Sequence, residues 1–240
     1  MDFTGLNDLI LELQNRNEFE LEFEIGEPII DEDDYNPVEE KFDWNPRKMF
    51  HNIINVHDGI DLAYRIKGVG KGGTEIGEVK IMMFFCLFDE MMQENYYAHH
   101  ELDGMDIPKE YFEFWNKYYP LDIYKDSQSE QIFTVVKPID EDELEFWIWD
   151  SAGPKFKLIF KTYEEYLNAG IKNKFIVFWQ YFYIDSNSMD FSDDSINITS
   201  ASDFSGATIK MDWALEQMSQ HFQNEDWSYQ AREMKRLKEL

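Results

Sequence analysis

Apolar residues recur at Leu6, Leu9, Ile10 and Leu13, the spacing of one helix face, and Thr4 stands where a cap belongs. Residues 4–16 therefore read as a helix. The period then drops to two. Phe19, Leu21, Phe23 and Ile25 alternate with Glu18, Glu20, Glu22 and Glu24, which predicts a half-buried strand over 18–25. Like charges along one strand face repel, so the glutamate row is expected to face water or a basic partner.

Residues 26–44 are rich in Asp, Glu and Pro and read as a loop. Asn45 and Pro46 open a second helix whose buried stripe is Met49, Phe50, Ile53 and Ile54, and Asp58-Gly59 ends it. Two strands, 61–66 and 76–85, flank the loop Gly68-Val69-Gly70-Lys71-Gly72-Gly73 as a hairpin. Asp106 and Pro108 start a helix over 108–119, lined by Tyr111, Phe112, Trp115 and Tyr118 or Tyr119. Residues 131–137, 144–149 and 156–160 read as strands separated by acidic and Gly-Pro turns. Thr162 and Glu165 form a capping box for a helix reaching about Asn168 or Lys172. Residues 175–184 are strongly apolar and aromatic, and periodicity does not separate strand from buried helix there. Trp213, Leu215, Met218 and Phe222 mark a helix over 212–222, and 229–240 is helical in propensity. The sum is an α+β fold: an antiparallel β meander with helices packed mainly on one side. Residues 1–184 form the main domain, 185–206 an acidic Ser/Asp loop or linker, and 207–240 a C-terminal helical segment. That segment either folds back on the body or frays.

Charge changes this picture. The 240 residues carry 49 acids against 22 lysines and arginines, a net of −27. Residues 18–43 hold twelve acids and Lys41 alone as a base; residues 126–150 hold eight acids and Lys137; residues 185–203 hold five acids and no base. A single such run is ordinarily a solvated loop. Together they suggest a surface built to meet a cationic partner. The same charge disfavours nucleic acid and anionic membranes. Apolar residues make up 43% of the chain, enough for a sizeable core.

Candidate chemistry adds little. Gly68, Gly70 and Gly73 match G-x-G-x-x-G in form, but a strand follows them where a dinucleotide site needs a helix. His51 and His57 lie six apart on one helix, and His99 and His100 are adjacent, so neither pair is disposed to share a metal. His221 is the fifth histidine. No nucleophile-elbow pattern occurs. Cys86 is the only cysteine, in an apolar run, so an internal disulfide is excluded. Of the seven tryptophans most are expected in the core, with one or two at an interface. No catalytic residue, cofactor or metal is expected. With no basic leader before an apolar stretch and no apolar run of spanning length, a cytoplasmic protein is the expectation.

Three stretches carry a resemblance. Pro46–Ile66 is a helix, a short turn and a strand; Gly77-Glu78-Val79-Lys80-Ile81 is a glycine-led return strand; Tyr163-Glu164-Glu165-Tyr166-Leu167 is followed by Phe178-Trp179-Gln180. Their order resembles the SUKH superfamily, common among bacterial immunity proteins. The resemblance implies binding without catalysis: neutralising a cognate basic toxin, often a nuclease, by masking its active site. An acidic surface complements such a toxin. The residues expected to pair with its Lys and Arg are Asp31, Glu32, Asp33 and Asp34, with Asp140, Glu141, Asp142 and Glu143. Two other classes stay open: a scaffold recruiting a host protein, which the SUKH resemblance also allows, and an acidic nucleic-acid mimic, which the charge allows. Met-rich and aromatic stretches permit a homodimer without requiring one.

Overall fold

Leu6, Leu9, Ile10 and Leu13 all lie inside, while Leu11 stays 54% exposed, so α1 (Thr4–Gln14) buries the face its spacing defines. The computed structural model describes residues 4–27, 59–69, 76–81, 118–126, 129–140, 143–150, 153–184 and 204–239. The loop expected over 28–44, the helix after Asn45 and most of the helix expected over 108–119 lie outside the described residues.

Among the described residues seven strands follow one another in the sheet in chain order, each antiparallel to the next. They are β1 (Phe19–Ile25), β2 (Ile60–Ile66), β3 (Gly77–Ile81), β4 (Tyr119–Asp126), β5 (Ser129–Asp140), β6 (Glu143–Asp150) and β7 (Gly153–Leu158). The fold is α+β, and its sheet is a simple meander. Period two decides the faces. Ile60, Leu62, Tyr64 and Ile66 of β2 are buried, as are Leu144, Phe146 and Ile148 of β6. Between them in sequence stand Ala63, Arg65, Glu145 and Trp147, which are only half-buried.

Helices α2 (Tyr163–Lys172), α3 (Phe204–His221) and α4 (Ser228–Lys238), with a 3-10 turn at Trp179–Tyr183, complete the described elements. Their apolar residues join those of the sheet in one cluster that runs from Leu6 and Tyr64 through Phe146, Tyr166 and Trp179 to Met218, Phe222 and Leu237. Tyr166 stacks on Phe146 at 4.9 Å, and Trp179 tilts onto Tyr166 at 5.1 Å.

The structure departs from the pattern at four places, and at the C-terminus it takes one of the two outcomes left open. Tyr119 opens β4 instead of closing a helix, and β4 itself has no counterpart among the expected strands. Phe23 is 45% exposed, and Leu21 and Ile25 are half-buried, so only Phe19 of the alternating row is fully inside. Residues 175–184 are neither strand nor α-helix but an irregular buried segment ending in the 3-10 turn. Helix α3 starts at Phe204, eight residues before the expected 212. The basic C-terminal stretch packs as α4, burying Gln230, Met234 and Leu237. Tyr229 Oη donates to the Phe182 carbonyl at 3.0 Å, and Lys238 pairs with Asp212 of α3 at 2.7 Å.

Candidate functional site

The acidic row of β1 keeps the orientation its pattern requires. Glu20, Glu22 and Glu24 are all exposed. Pairing sets Glu20 opposite Arg65, Glu22 opposite Ala63 and Glu24 opposite Asp61. Arg65 Nε meets Glu20 Oε2 at 2.6 Å. Among the described residues no cation lies within ion-pair distance of Glu22 or Glu24, and Glu24 faces another carboxylate. Like charges directly opposite destabilise a strand pair, and Asp61 stands opposite Lys80 of β3 on its other side, which offsets that repulsion only from the next strand in.

The second acidic group lies at the β5–β6 hairpin, separated from β1 by β2, β3 and β4. Asp140 closes β5 and Glu143 opens β6, and the two are paired across the ladder. Glu143 Oε1 accepts from Lys161 Nζ at 3.0 Å, an exposed pair of small energetic consequence. Beside it Glu145 is held by Lys157 and by Lys137, the latter at 3.5 Å. Burial raises the Glu145 pKa, and the two lysines outweigh that and hold it below the usual glutamate value. Glu141 and Asp142, like Asp31, Glu32, Asp33 and Asp34, lie outside the described residues. The structure therefore describes one side chain of the eight expected partner contacts, that of Glu143.

A polar cluster that apolar periodicity does not announce lies inside the core. Asp122 of β4 occupies a core-facing position, opposite Ile81 on one side and Thr134 on the other. Its Oδ1 accepts from the Thr134 amide at 3.1 Å, and its Oδ2 from Gln180 Nε2 at 2.9 Å and from Tyr166 Oη. Full burial pushes the Asp122 carboxyl up to about 6, against the pull of those donors. The signal that could have found it is an aspartate inside an otherwise apolar stretch, between Leu121 and Ile123, facing a helix that carries tyrosine.

A shallow recess of about 370 Å³ lies where the end of α1 meets the loop after α3, lined by Glu12, Arg16, His221, Phe222, Asn224 and Glu225. Its charges are already engaged. Arg16 donates to the His221 carbonyl at 2.8 Å and pairs with Glu12 at 3.2 Å. Lys174 sends Nζ to Glu12 and to Glu225, each at 2.8 Å, and lies 4.4 Å from the centre of the Phe222 ring.

Among the described residues no three His, Cys, Asp or Glu side chains gather as a metal site, and no helix is long and apolar enough to cross a membrane. His51, His57, His99, His100 and Cys86 lie outside those residues. No family model, curated protein or solved structure matches the chain.

Proposed function

We propose that this chain is a non-enzymatic, immunity-type binding protein of the cytoplasm that neutralises a basic protein toxin by covering its active site with an acidic surface. A nuclease suits that description, since a site that holds phosphate is cationic. The observation that carries the reading is the unbalanced charge. The chain carries a net of −27, and at β1 the exposed Glu22 and Glu24 stand without a cation among the described residues while Glu24 faces Asp61. A cationic partner relieves this repulsion, gains speed of encounter and is selected over neutral ones. The resemblance of Pro46–Ile66, Gly77–Ile81 and Tyr163–Leu167 with Phe178–Gln180 to the SUKH superfamily points to the same class.

The test is association with the toxin encoded by a neighbouring gene, at low and at high salt. Reversal of Asp140, Glu141, Asp142 and Glu143 to lysine accompanies it, and reversal of Asp31–Asp34 forms a second variant. Binding is expected to weaken at least about tenfold in each arm. Binding that ignores salt and both reversals overturns the reading, as does failure to inhibit the toxin at equimolar protein.

A further inference from the structure

The ladder between β1 and β2 fixes which way each β1 peptide group points. Lys67 N–H donates to the Glu18 carbonyl at 2.8 Å, and Gly26 N–H to the Gly59 carbonyl at 3.1 Å. Hydrogen-bonded pairs in an antiparallel ladder recur every second residue. Glu20, Glu22 and Glu24 therefore spend their backbone groups on β2, and Leu21, Phe23 and Ile25 point theirs away from it. No strand flanks β1 on that side among the described residues. The edge joins three properties: backbone donors and acceptors that no strand among the described residues takes up, an acidic row on one face, and Phe23, 45% exposed, on the other.

Resting on the function proposed above, we infer that β1 is where the basic partner docks, by adding an extended segment of its own as a further strand. Main-chain hydrogen bonds to Leu21, Phe23 and Ile25 supply affinity, and side chains on alternate positions supply selection. The segment it fits alternates cationic with apolar residues. Its lysines or arginines stand beside Glu20, Glu22 and Glu24, and its apolar side lies over Phe23. A second copy of this chain is a poor occupant, because its β1 would bring glutamates against glutamates.

The probe is a blocked heptapeptide of alternating lysine and valine, added to the full chain while amide exchange is followed residue by residue. Exchange at Leu21, Phe23 and Ile25 is expected to slow at least about tenfold, with little change at Glu22 and Glu24, whose amides already bond to β2. The same peptide N-methylated at alternate amides should give no slowing. The double variant Glu22→Lys with Glu24→Lys should abolish the effect at a melting temperature no lower than that of the natural chain, since it sets a lysine opposite Asp61. Phe23→Pro, which removes an outward N–H without breaking the ladder, should weaken it. Unchanged exchange at the three outward amides, or equal slowing by the N-methylated peptide, overturns the inference. If that happens while toxin binding stays salt-sensitive, strand addition falls and the acidic-surface reading stands. If toxin binding ignores salt, that reading falls whatever the peptide does.

Discussion

Asp122 of β4 and Tyr166 of α2 share a hydrogen bond inside the core, where the sheet meets its covering helix. Thr134 and Gln180 complete the shell around the carboxylate, and burial lifts its pKa from 3.8 to about 6. Unfolding restores the ordinary value, so the folded state binds the extra proton between about pH 4 and pH 6. The stabilisation from that proton is fully present below about pH 4 and is lost as pH rises through about 6. Its size is on the order of 2–3 kcal/mol. The variant Asp122→Asn carries an amide that stays neutral throughout. The difference in urea midpoint between the variant and the natural chain should therefore shift in the variant's favour between about pH 4 and about pH 7.5. A constant difference over that range would show that Asp122 does not titrate there.

Gly77 leaves the space that the Tyr64 ring occupies. A Cβ at residue 77 would stand 2.0 Å from Tyr64 Cε1, and Tyr64 is itself pinned by a hydrogen bond from its hydroxyl to the Lys174 carbonyl. Gly77→Ala therefore forces the ring aside at a cost of about 2–3 kcal/mol. Gly68→Ala is the contrast. Its φ is +75° with nothing within 4 Å. The cost there, about 1 kcal/mol, is one of backbone conformation alone. Chemical denaturation of the two variants should rank Gly77→Ala as the more damaging.

These sites also show where the pattern of the chain speaks and where it does not. Helix α2 is legible at its start because a cap is local. Thr162 Oγ1 accepts the Glu165 amide at 3.2 Å, although Glu165 returns its own bond to the Lys161 amide, one residue before the box position. Strand β4 is hidden by its own chemistry. Pro120 interrupts it, and Asp122 puts a carboxylate where a buried strand demands an apolar side chain. Residues 175–184 give no period because seven of the ten are buried and none is exposed. The glutamate row of β1 faces outward as its alternation predicts, but the opposite face is not sealed as the same alternation implies. Standing at the edge of the sheet among the described residues is a tertiary fact, and Phe23 there stays 45% exposed. Of the acidic residues expected to meet a partner, the structure brings only the Glu143 side chain into view.

Gln230 fastens α4 to the end of α2. Its Nε2 donates to Asn173 Oδ1 at 2.8 Å, and Asn173 in turn donates to the Ala169 carbonyl at 2.6 Å and to Tyr183 Oη at 2.9 Å. All of this is buried apart from the partly buried Tyr183. Gln230→Ala strips the asparagine oxygen of its donor and should cost about 1–3 kcal/mol. Because the loss falls on one helix, limited proteolysis should cut α4 free earlier than in the natural chain. Equal cleavage rates in the two proteins would show that α4 is held by its apolar stripe alone.

Lys174 ends α2 in a position that normally belongs to glycine. Its amide bonds back to the Ile171 carbonyl and that of Phe175 to the Gly170 carbonyl, both at 2.8 Å, which is the Schellman closure. Lys174 itself takes φ = 50°, in the left-handed region. The lysine is kept there by its side chain, which lies almost wholly buried between Glu12 and Glu225 and above Phe222. Two opposed contributions can be separated by two substitutions. Lys174→Ala loses the ion pairs and keeps the backbone strain, and should cost about 2 kcal/mol. Lys174→Gly loses the same pairs but relieves the strain, and should be about 1 kcal/mol more stable than Lys174→Ala. Thermal melts of the pair measure that gap directly. An alanine variant as stable as the glycine one would mean that the turn relaxes out of the left-handed region once the lysine is gone. The closure would then depend on the two carboxylates of α1 and the α3–α4 loop.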